Sequence, residues 1–284
     1  MSTTRASSEA GRSAPGANGT SDVPIKGSFR GLSDLPLVAR QVWFEQLSFW
    51  LNPIGAILTI GFSVVFVVIF LSTSGHSTIG YLAHINLGQY YLPAFVTYGI
   101  MAACFNILAI TMVNRREMGL LKRLRLSPLP TWMLLAAIFV NSMIVAAIQI
   151  VAVLLVGWFG YGITGPHDIL EFILVLIVGM LSFTAMGVGI STLVPNADAA
   201  GPIVSLVFFI LVALSGLYFP VKPGSGLATF TNFFPIRHMI TATVDTFNAI
   251  PGTSIWNDLL VIVIWGVVGA FVALRRWEWS PKRG

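Results

Sequence analysis

The chain has 284 residues and a formal net charge of +5, and its charged residues make up only 10% of the sequence, against 56% for hydrophobic residues. A water-soluble domain carries about 25% charged residues because its surface must be solvated, so this composition excludes a soluble protein. The charged residues are also separated by long uncharged stretches, the longest from Gln46 to Asn114. Because about 20 apolar residues cross a bilayer as a helix, the sequence predicts an all-α integral membrane protein.

Two different segments precede the first long apolar run. Residues 1–33 are rich in Ser, Gly, Ala and Thr, a composition typical of a disordered cytosolic tail. Residues 34–50 mix apolar and polar positions at helical spacing, with Trp43 and Trp50 placed to anchor in the lipid headgroup region. They predict an N-terminal helix that lies in the membrane interface, with an irregular leader into the first span as the alternative. We assign residues 34–280 to one transmembrane domain.

Six membrane spans follow along the chain. Their predicted bounds are about 51–72, 93–113, 131–156, 172–194, 202–219 and 257–274. Lysine and arginine mark the cytosolic side of a membrane protein. If both termini are placed in the cytosol, 14 of the 16 basic residues lie inside, and only Lys222 and Arg237 lie outside. The sequence therefore predicts an N-in, C-in topology. Because the orientation in the membrane explains the positive net charge, we predict no nucleic-acid partner.

The segment between the last two spans, residues 220–256, is too polar and too interrupted by proline and glycine to cross the membrane. It predicts one or two short amphipathic helices at the outer face. Arg237 and Asp245 are candidates there for a structural pair or for a gate. The histidines match no metal-ligand spacing, so we predict no metal site; they are His76, His84, His167 and His238.

The segment between the second and third spans, residues 114–130, combines five basic residues with a leucine stripe at helical spacing. Its acidic residue, Glu117, comes early and most of its basic residues come late, which favours a short helix because of the helix dipole. Two prolines end that helix. A short basic segment with an apolar stripe is suited to docking into a groove of a partner protein. Basic residues that only enforce topology and bind anionic membrane lipid are the alternative.

This segment reads RREMGLLKRLRLSPLP. It resembles the cytosolic loop of ABC-2 type transport permeases, in which an Arg–Glu–x–Gly motif precedes leucines and a Thr/Ser-Pro pair. The interfacial helix, the six spans and the late segment LSGLYFPVKP…FFPIRHMI fit the same family. The resemblance therefore extends over residues 34–280. Within the family, the chain is most similar to the drug and antibiotic exporters, including daunorubicin exporters.

The resemblance implies that residues 114–130 contain a coupling helix that contacts a separate ATP-binding subunit. Gly119 would either allow a close approach of the backbones or simply kink the helix. The implied docking corner consists of Arg115, Arg116, Glu117 and Gly119, and the implied buried contact consists of Leu120, Leu121 and Leu124. The resemblance further implies two ATP-binding subunits that carry ATP and Mg²⁺, a second permease copy or a homologue, and a location in the cell membrane.

The sequence predicts no catalytic site. A phosphate-binding P-loop requires the pattern G-x-x-x-x-G-K-[ST], and the sequence contains no Gly-Lys pair. The chain is therefore predicted to be a transport subunit that binds no cofactor itself and is not an enzyme by itself. A membrane-embedded enzyme or an assembly scaffold ranks last, since the predicted cytosolic loops lack an acid–base or nucleophile cluster.

If the family layout holds, two copies enclose a substrate path lined by the second and fifth spans. The candidate lining residues are Thr97, Phe105, Asn106, Phe208, Phe209 and Val212, with ordinary packing or lipid contact as the alternative for each. A mainly apolar path suits a hydrophobic or amphipathic substrate such as a drug, an antibiotic or a lipid. We therefore favour the permease of an ATP-driven exporter. The alternatives are an exporter of polysaccharide or glycolipid and an ion-gradient-driven carrier, although no ionisable residue lies clearly at mid-depth.

Overall fold

The computed structural model describes residues 35–74, 78–79, 85–119, 131–218, 224, 226–250 and 254–277, and the predicted tail of residues 1–33 lies outside them. Helices dominate the described residues. In chain order these helices are α1 (Leu35–Trp50), α2 (Pro53–Ser74), α3 (Leu87–Glu117), α4 (Thr131–Leu155), α5 (Ile169–Leu193), α6 (Ala197–Leu214), α7 (Gly226–Thr231), α8 (Pro235–Asn248) and α9 (Ile255–Arg276). Two short strands, β1 (Thr78–Ile79) and β2 (Ile85–Asn86), pair antiparallel before α3.

Six helices of the described residues are long and apolar enough to cross a membrane: α2, α3, α4, α5, α6 and α9. This confirms the predicted all-α membrane protein with six spans. The β1–β2 pair is a small addition that the sequence did not indicate. The second span is longer than predicted, since α3 runs over 31 residues to Glu117. The helix continues past its apolar part into the charged residues at its end. A prediction from apolar length alone does not include these charged residues.

The central position in the bundle belongs to α3. In its most apolar part, 72% of the residues are buried within the protein, against 22% for α2 and 28% for α6 and α9. A helix that is apolar and buried all round contacts protein on every side, whereas the other spans keep apolar faces that suit lipid. Accordingly, α3 packs against α2, α4, α5, α6 and α8.

Glycines bring α5 and α9, the most extensive helix pair, into backbone contact. A Cβ atom on Gly189 would lie 2.7 Å from the carbonyl oxygen of Gly269, and one on Gly269 would lie 2.6 Å from Cα of Met186. Any larger residue at these positions would push the helices apart. Small residues at the contact are the usual means of close helix packing in a membrane, because lipid removes the hydrophobic drive for helices to associate.

Two short helices, α7 and α8, follow the fifth span, as the sequence predicts for this segment. Pro235 begins α8, where a missing N–H costs nothing, and Ala249 ends it in the left-handed conformation with φ 49°. The buried face of α8 packs on α3, α5 and α9. We call this end of the bundle the opposite end, and we call the end where α3 stops at Glu117 the basic end.

Candidate functional site

The basic end is organised around the last turn of α3. The backbone N–H of Gly119 donates to the carbonyl of Arg116 at 3.0 Å, and φ of Gly119 is 65°. A residue with a Cβ is strained in this left-handed conformation, which is why glycine commonly follows a helix end. Among the described residues, no atom lies within 4 Å of the position that a Cβ atom on Gly119 would take. The glycine therefore serves the turn, and its close approach to a partner stays a prediction.

Arg115 connects α3 to α1 through a bidentate ion pair with Glu45. Its Nη1 donates to Oε1 of Glu45 at 2.8 Å and its Nη2 donates to Oε2 at 2.5 Å, with the two side chains 19% and 10% exposed. Bidentate geometry restrains orientation as well as distance. Beside this pair, the side chain of Gln46 donates to the carbonyl of Asn141 at 3.3 Å. The first helix is therefore fixed to two of the spans, α3 and α4.

Arg116 points in the other direction, into the protein, and only 4% of it is exposed. Its Nη1 donates to the carbonyl of Ser191 at 3.2 Å, and its Nη2 donates to those of Val194 at 2.7 Å and Pro195 at 3.2 Å. The last carbonyls of a helix have no partner within it, and a cation is favoured at this negative end of the helix dipole. We call Arg116 together with these three carbonyls the Arg116 junction.

Two further side chains complete the basic end. Oε1 of Glu117 lies 3.5 Å from Nε of Arg116, an ion-pair contact without hydrogen-bond geometry. Directly after the junction, Oδ1 of Asn196 accepts the N–H of Ala199 at 2.9 Å and begins α6 as an N-cap. The turn between α5 and α6 is therefore held by the guanidinium on one side and by its own cap on the other.

The structure thus brings Arg115, Arg116 and Glu117 together but directs the two arginines to different neighbours within the chain. Their predicted contact with a partner, like that of Gly119, stays a prediction. The leucines predicted to make the buried contact lie outside the described residues; they are Leu120, Leu121 and Leu124.

The residues predicted to line a substrate path lie on α3 and α6. Four of them are at most 2% exposed: Thr97, Phe105, Phe208 and Val212. The hydroxyl oxygen of Thr97 lies 3.0 Å from that of Thr243 on α8, so packing within the chain accounts for its polarity. Phe209, in contrast, is 53% exposed and faces a surface that lipid or another protein would cover. The path itself stays a prediction.

Asn106, the remaining path candidate, lies in a π-helical turn, Ala102–Ile107, that interrupts α3. Its Oδ1 is buried and has no hydrogen-bond partner among the described residues. A Cβ atom on Gly187 of α5 would lie 2.8 Å from the carbonyl oxygen of Cys104, so α5 packs directly on the backbone of this turn. Single π-helical turns are frequent at functional sites. Asn106 is thus the path candidate whose polarity the packing within the chain explains least.

At the opposite end, a cavity of about 260 Å³ brings acidic residues together. Asp245, predicted to act with Arg237, is 6% exposed and lines this cavity. Two acidic residues at the start of α5, Asp168 and Glu171, line it as well. Arg237 lies two turns earlier than Asp245 on α8. Their role as a structural pair or a gate stays a prediction.

A polar contact that the sequence did not indicate joins α8 to α9. Nδ1 of His238 lies 2.5 Å from Oδ1 of Asp258, and Nε2 lies 2.7 Å from the carbonyl oxygen of Asn232. Both neighbours offer acceptor oxygens, and the protonated imidazole, which has two N–H donors, satisfies both contacts. The hydrogen bond to Asp258 raises the pKa of His238 above its ordinary value, against the opposing effect of burial. In the sequence, the signal for a contact between His238 and Asp258 is that both residues fall on the same predicted side of the membrane.

Comparison with known proteins identifies the family. A family profile described as "ABC-2 family transporter protein" matches residues 83–275. The chain is 28% identical over 190 residues to the "Probable multidrug ABC transporter permease YbhR" of Escherichia coli, in strains K12 and O157:H7. The aligned residues cover 65% of this chain and 50% of that protein. It is 25% identical over 178 residues to the "Putative transport permease YvfS" of Bacillus subtilis (strain 168), covering 61% of this chain and 71% of that protein.

The chain thus spans about half the length of the YbhR proteins that it matches. The family match begins just before α3 and ends in the last turn of α9, so it includes five of the six spans as well as the Arg116 junction. It also covers more than half of the chain. The chain therefore belongs to the ABC-2 transporter family and is a multi-pass protein of the cell membrane.

Proposed function

We propose that the chain is the membrane-spanning permease subunit of an ATP-driven exporter, powered by a separate ATP-binding subunit. The observation that carries the proposal is the family match across five spans and across the basic end. The printed names of the relatives, a probable multidrug ABC transporter permease and a putative transport permease, support a transport role. Consistent with this role, the sequence lacks the Gly-Lys pair of a P-loop.

In this proposal the basic end faces the cytosol. The positive-inside rule supports the orientation, because 14 of the 16 basic residues then lie inside. Six candidate spans, an even number, would place both ends of the chain on the same side of the membrane. α1 would lie in the cytosolic interface, where Trp43 and Trp50 are 67% and 46% exposed, and α7 and α8 would lie at the outer face.

The segment after α3 would dock on the ATP-binding subunit. Gly119 follows the end of α3 in the left-handed conformation, and a turn at this position suits a separate docking segment after the helix. Arg115 and Arg116 are both engaged within the chain, so they would hold the docking corner in place, and Glu117 and Gly119 would complete it. The apolar contact would come from Leu120, Leu121 and Leu124. Two such subunits, each with ATP and Mg²⁺, would serve two permease copies or this chain and a homologue.

The substrate path would run between the two copies, along α3 and α6. Phe209, which projects from the single chain, and Asn106, whose Oδ1 lacks a partner among the described residues, are the residues that support a path there. Apolar walls with few polar groups suit a hydrophobic or amphipathic substrate. The word multidrug in the name of YbhR agrees with such a substrate.

The proposal is tested by purifying the tagged chain from native membranes and reconstituting it in vesicles with the ATP-binding protein that accompanies it. We expect that protein to contain a P-loop and to hydrolyse ATP. Uptake of daunorubicin, a fluorescent amphipathic antibiotic, should require ATP and should continue in the presence of an ionophore. Uptake that proceeds without ATP and stops with the ionophore would instead establish an ion-gradient carrier. ATPase stimulation by a lipid-linked glycan, without daunorubicin uptake, would favour glycan export.

The docking segment is tested by replacing Leu120 and Leu124 together with aspartate. Because charged side chains cannot enter an apolar groove without a large desolvation cost, we expect membrane insertion to persist and ATP-driven uptake to be lost. The matched control replaces the same two leucines with methionine, which keeps volume and apolarity, and should retain uptake. Normal uptake by the aspartate variant would show that the segment serves only topology or lipid binding.

A further inference from the structure

We propose that Arg116 is a positioning residue that makes the cytosolic ends of the second, fourth and fifth spans move as one unit. This inference rests on the proposed function, because it assigns the route by which the segment after α3 acts on the spans. The route runs through the Arg116 junction.

The geometry joins three elements through one guanidinium. Arg116 lies on the last turn of α3, three residues before the glycine that ends the helix. The carbonyl of Ser191 belongs to the last turn of α5, whereas those of Val194 and Pro195 belong to the turn that leads into α6. A guanidinium is planar and holds several acceptors in fixed directions, which the single ammonium group of a lysine does not.

Burial makes the contact costly to break. Arg116 is 4% exposed, and removing a cation from water costs several kcal/mol unless its partners compensate for the loss. Separating α3 from the turn between α5 and α6 would leave this cation and three carbonyls without partners. A displacement at the end of α3 is therefore carried to α5 and α6. The ion pair of Arg115 and Glu45 differs, because it is more exposed and reaches only α1.

The test uses the complete transporter, the chain with its co-purified ATP-binding subunit, in nanodiscs. Cys104, the single cysteine, is replaced by alanine, and spin labels are placed at Met118 and Leu193, which are 71% and 48% exposed. The distance between the labels is measured without nucleotide and with ATP plus vanadate. The variant is Arg116→Lys, which keeps the charge. The matched control is Arg276→Lys, at an exposed arginine on the same end of the bundle.

We expect the distance to be independent of nucleotide with Arg116 present and to change with nucleotide in Arg116→Lys. Daunorubicin transport per ATP hydrolysed should fall about fivefold or more in the variant, the lower limit of typical coupling between sites. The control should match the unsubstituted chain in both measurements. A purely stabilising role would lower the unfolding temperature without making the distance depend on nucleotide.

That outcome, a purely stabilising role, would overturn the inference, and so would two further results. One is a nucleotide-dependent distance with Arg116 present, a measurement that stands even where the variant fails to fold. The other is Arg116→Lys that keeps normal transport per ATP. If no ATP-binding subunit accompanies the unsubstituted chain, the proposed function itself fails and this inference fails with it. That outcome is distinct from a bound, active ATP-binding subunit whose nucleotide changes the distance between the two labels, because this second outcome overturns only the inference about Arg116.

Discussion

The two ends of the bundle join their helices with different kinds of charge. At the basic end, arginines bind Glu45 and the carbonyls of the Arg116 junction, and a guanidinium stays charged at any physiological pH. At the opposite end, His238 lies between Asp258 and the carbonyl of Asn232, and an imidazole titrates near neutrality. The contacts of the arginines at the basic end therefore keep their charge at any physiological pH, as the proposed coupling route requires, whereas the contact of His238 at the opposite end contains a group that titrates.

The largest effect is expected for Arg116→Ala. Removing the guanidinium leaves three carbonyls and Glu117 without their cation, and breaking such a buried charged contact costs about 3 kcal/mol. We expect the free energy of unfolding of the purified chain in detergent to fall by this amount. The loss should be the same at about pH 6 and about pH 9, since no group with an ordinary pKa between them takes part.

Arg276→Ala provides the comparison for this variant. The side chain of Arg276 is exposed at the same end of the bundle, and surface substitutions usually change stability by less than about 0.5 kcal/mol. A loss for Arg116→Ala no larger than that of Arg276→Ala would show that the Arg116 junction contributes nothing to stability. A loss that varies strongly with pH would contradict its permanent charge.

A smaller effect, and one that depends on pH, is expected for Asp258→Asn at the opposite end. A hydrogen bond to a charged partner contributes about 1.5–3 kcal/mol, so we expect a loss of about 2 kcal/mol in acid, where His238 is protonated. The raised pKa of His238 means that this stabilisation is complete below the ordinary value of about 6.5 and is lost as the pH rises through the raised value.

Thermal unfolding of the original chain and of Asp258→Asn, from acid to alkaline pH, measures the difference in stability between them. This difference, the stability gap, should be widest in acid and should narrow in alkali. The charged groups that act on His238 are Asp258 on α9 and Arg237 on α8, and the latter lowers its pKa by repulsion. Arg237→Gln should therefore move the closing of the gap to higher pH. A gap that is constant with pH would show that the histidine does not titrate in this contact.

Several of these features are legible in the sequence because they are local. The six spans follow from apolar length, although the predicted second span stops at residue 113 and α3 continues to Glu117. The hydrogen-bond acceptors of Arg116, in contrast, lie 75 to 79 residues away, and the acceptor of Arg115 lies 70 residues away. No periodicity or spacing encodes such contacts. The π-helical turn at Asn106 could not be predicted from the sequence either. The turn packs closely against α5 at Gly187, and α5 comes from a different part of the chain.

The ends differ, finally, in the residue that stops a helix. Gly119 and Ala249 both adopt the left-handed conformation, with φ 65° and φ 49°, but only the alanine is strained there, by about 1–2 kcal/mol. Part of this strain is offset, because alanine restricts the unfolded chain by about 0.4–1 kcal/mol relative to glycine. We therefore expect Ala249→Gly to stabilise the purified chain, and Gly119→Ala to destabilise it, each by about 0.5–1 kcal/mol. Gly119→Asn should cost less than Gly119→Ala, since asparagine tolerates this conformation. Thermal unfolding shifts of the same sign for Ala249→Gly and Gly119→Ala would mean that backbone strain does not govern these two helix ends.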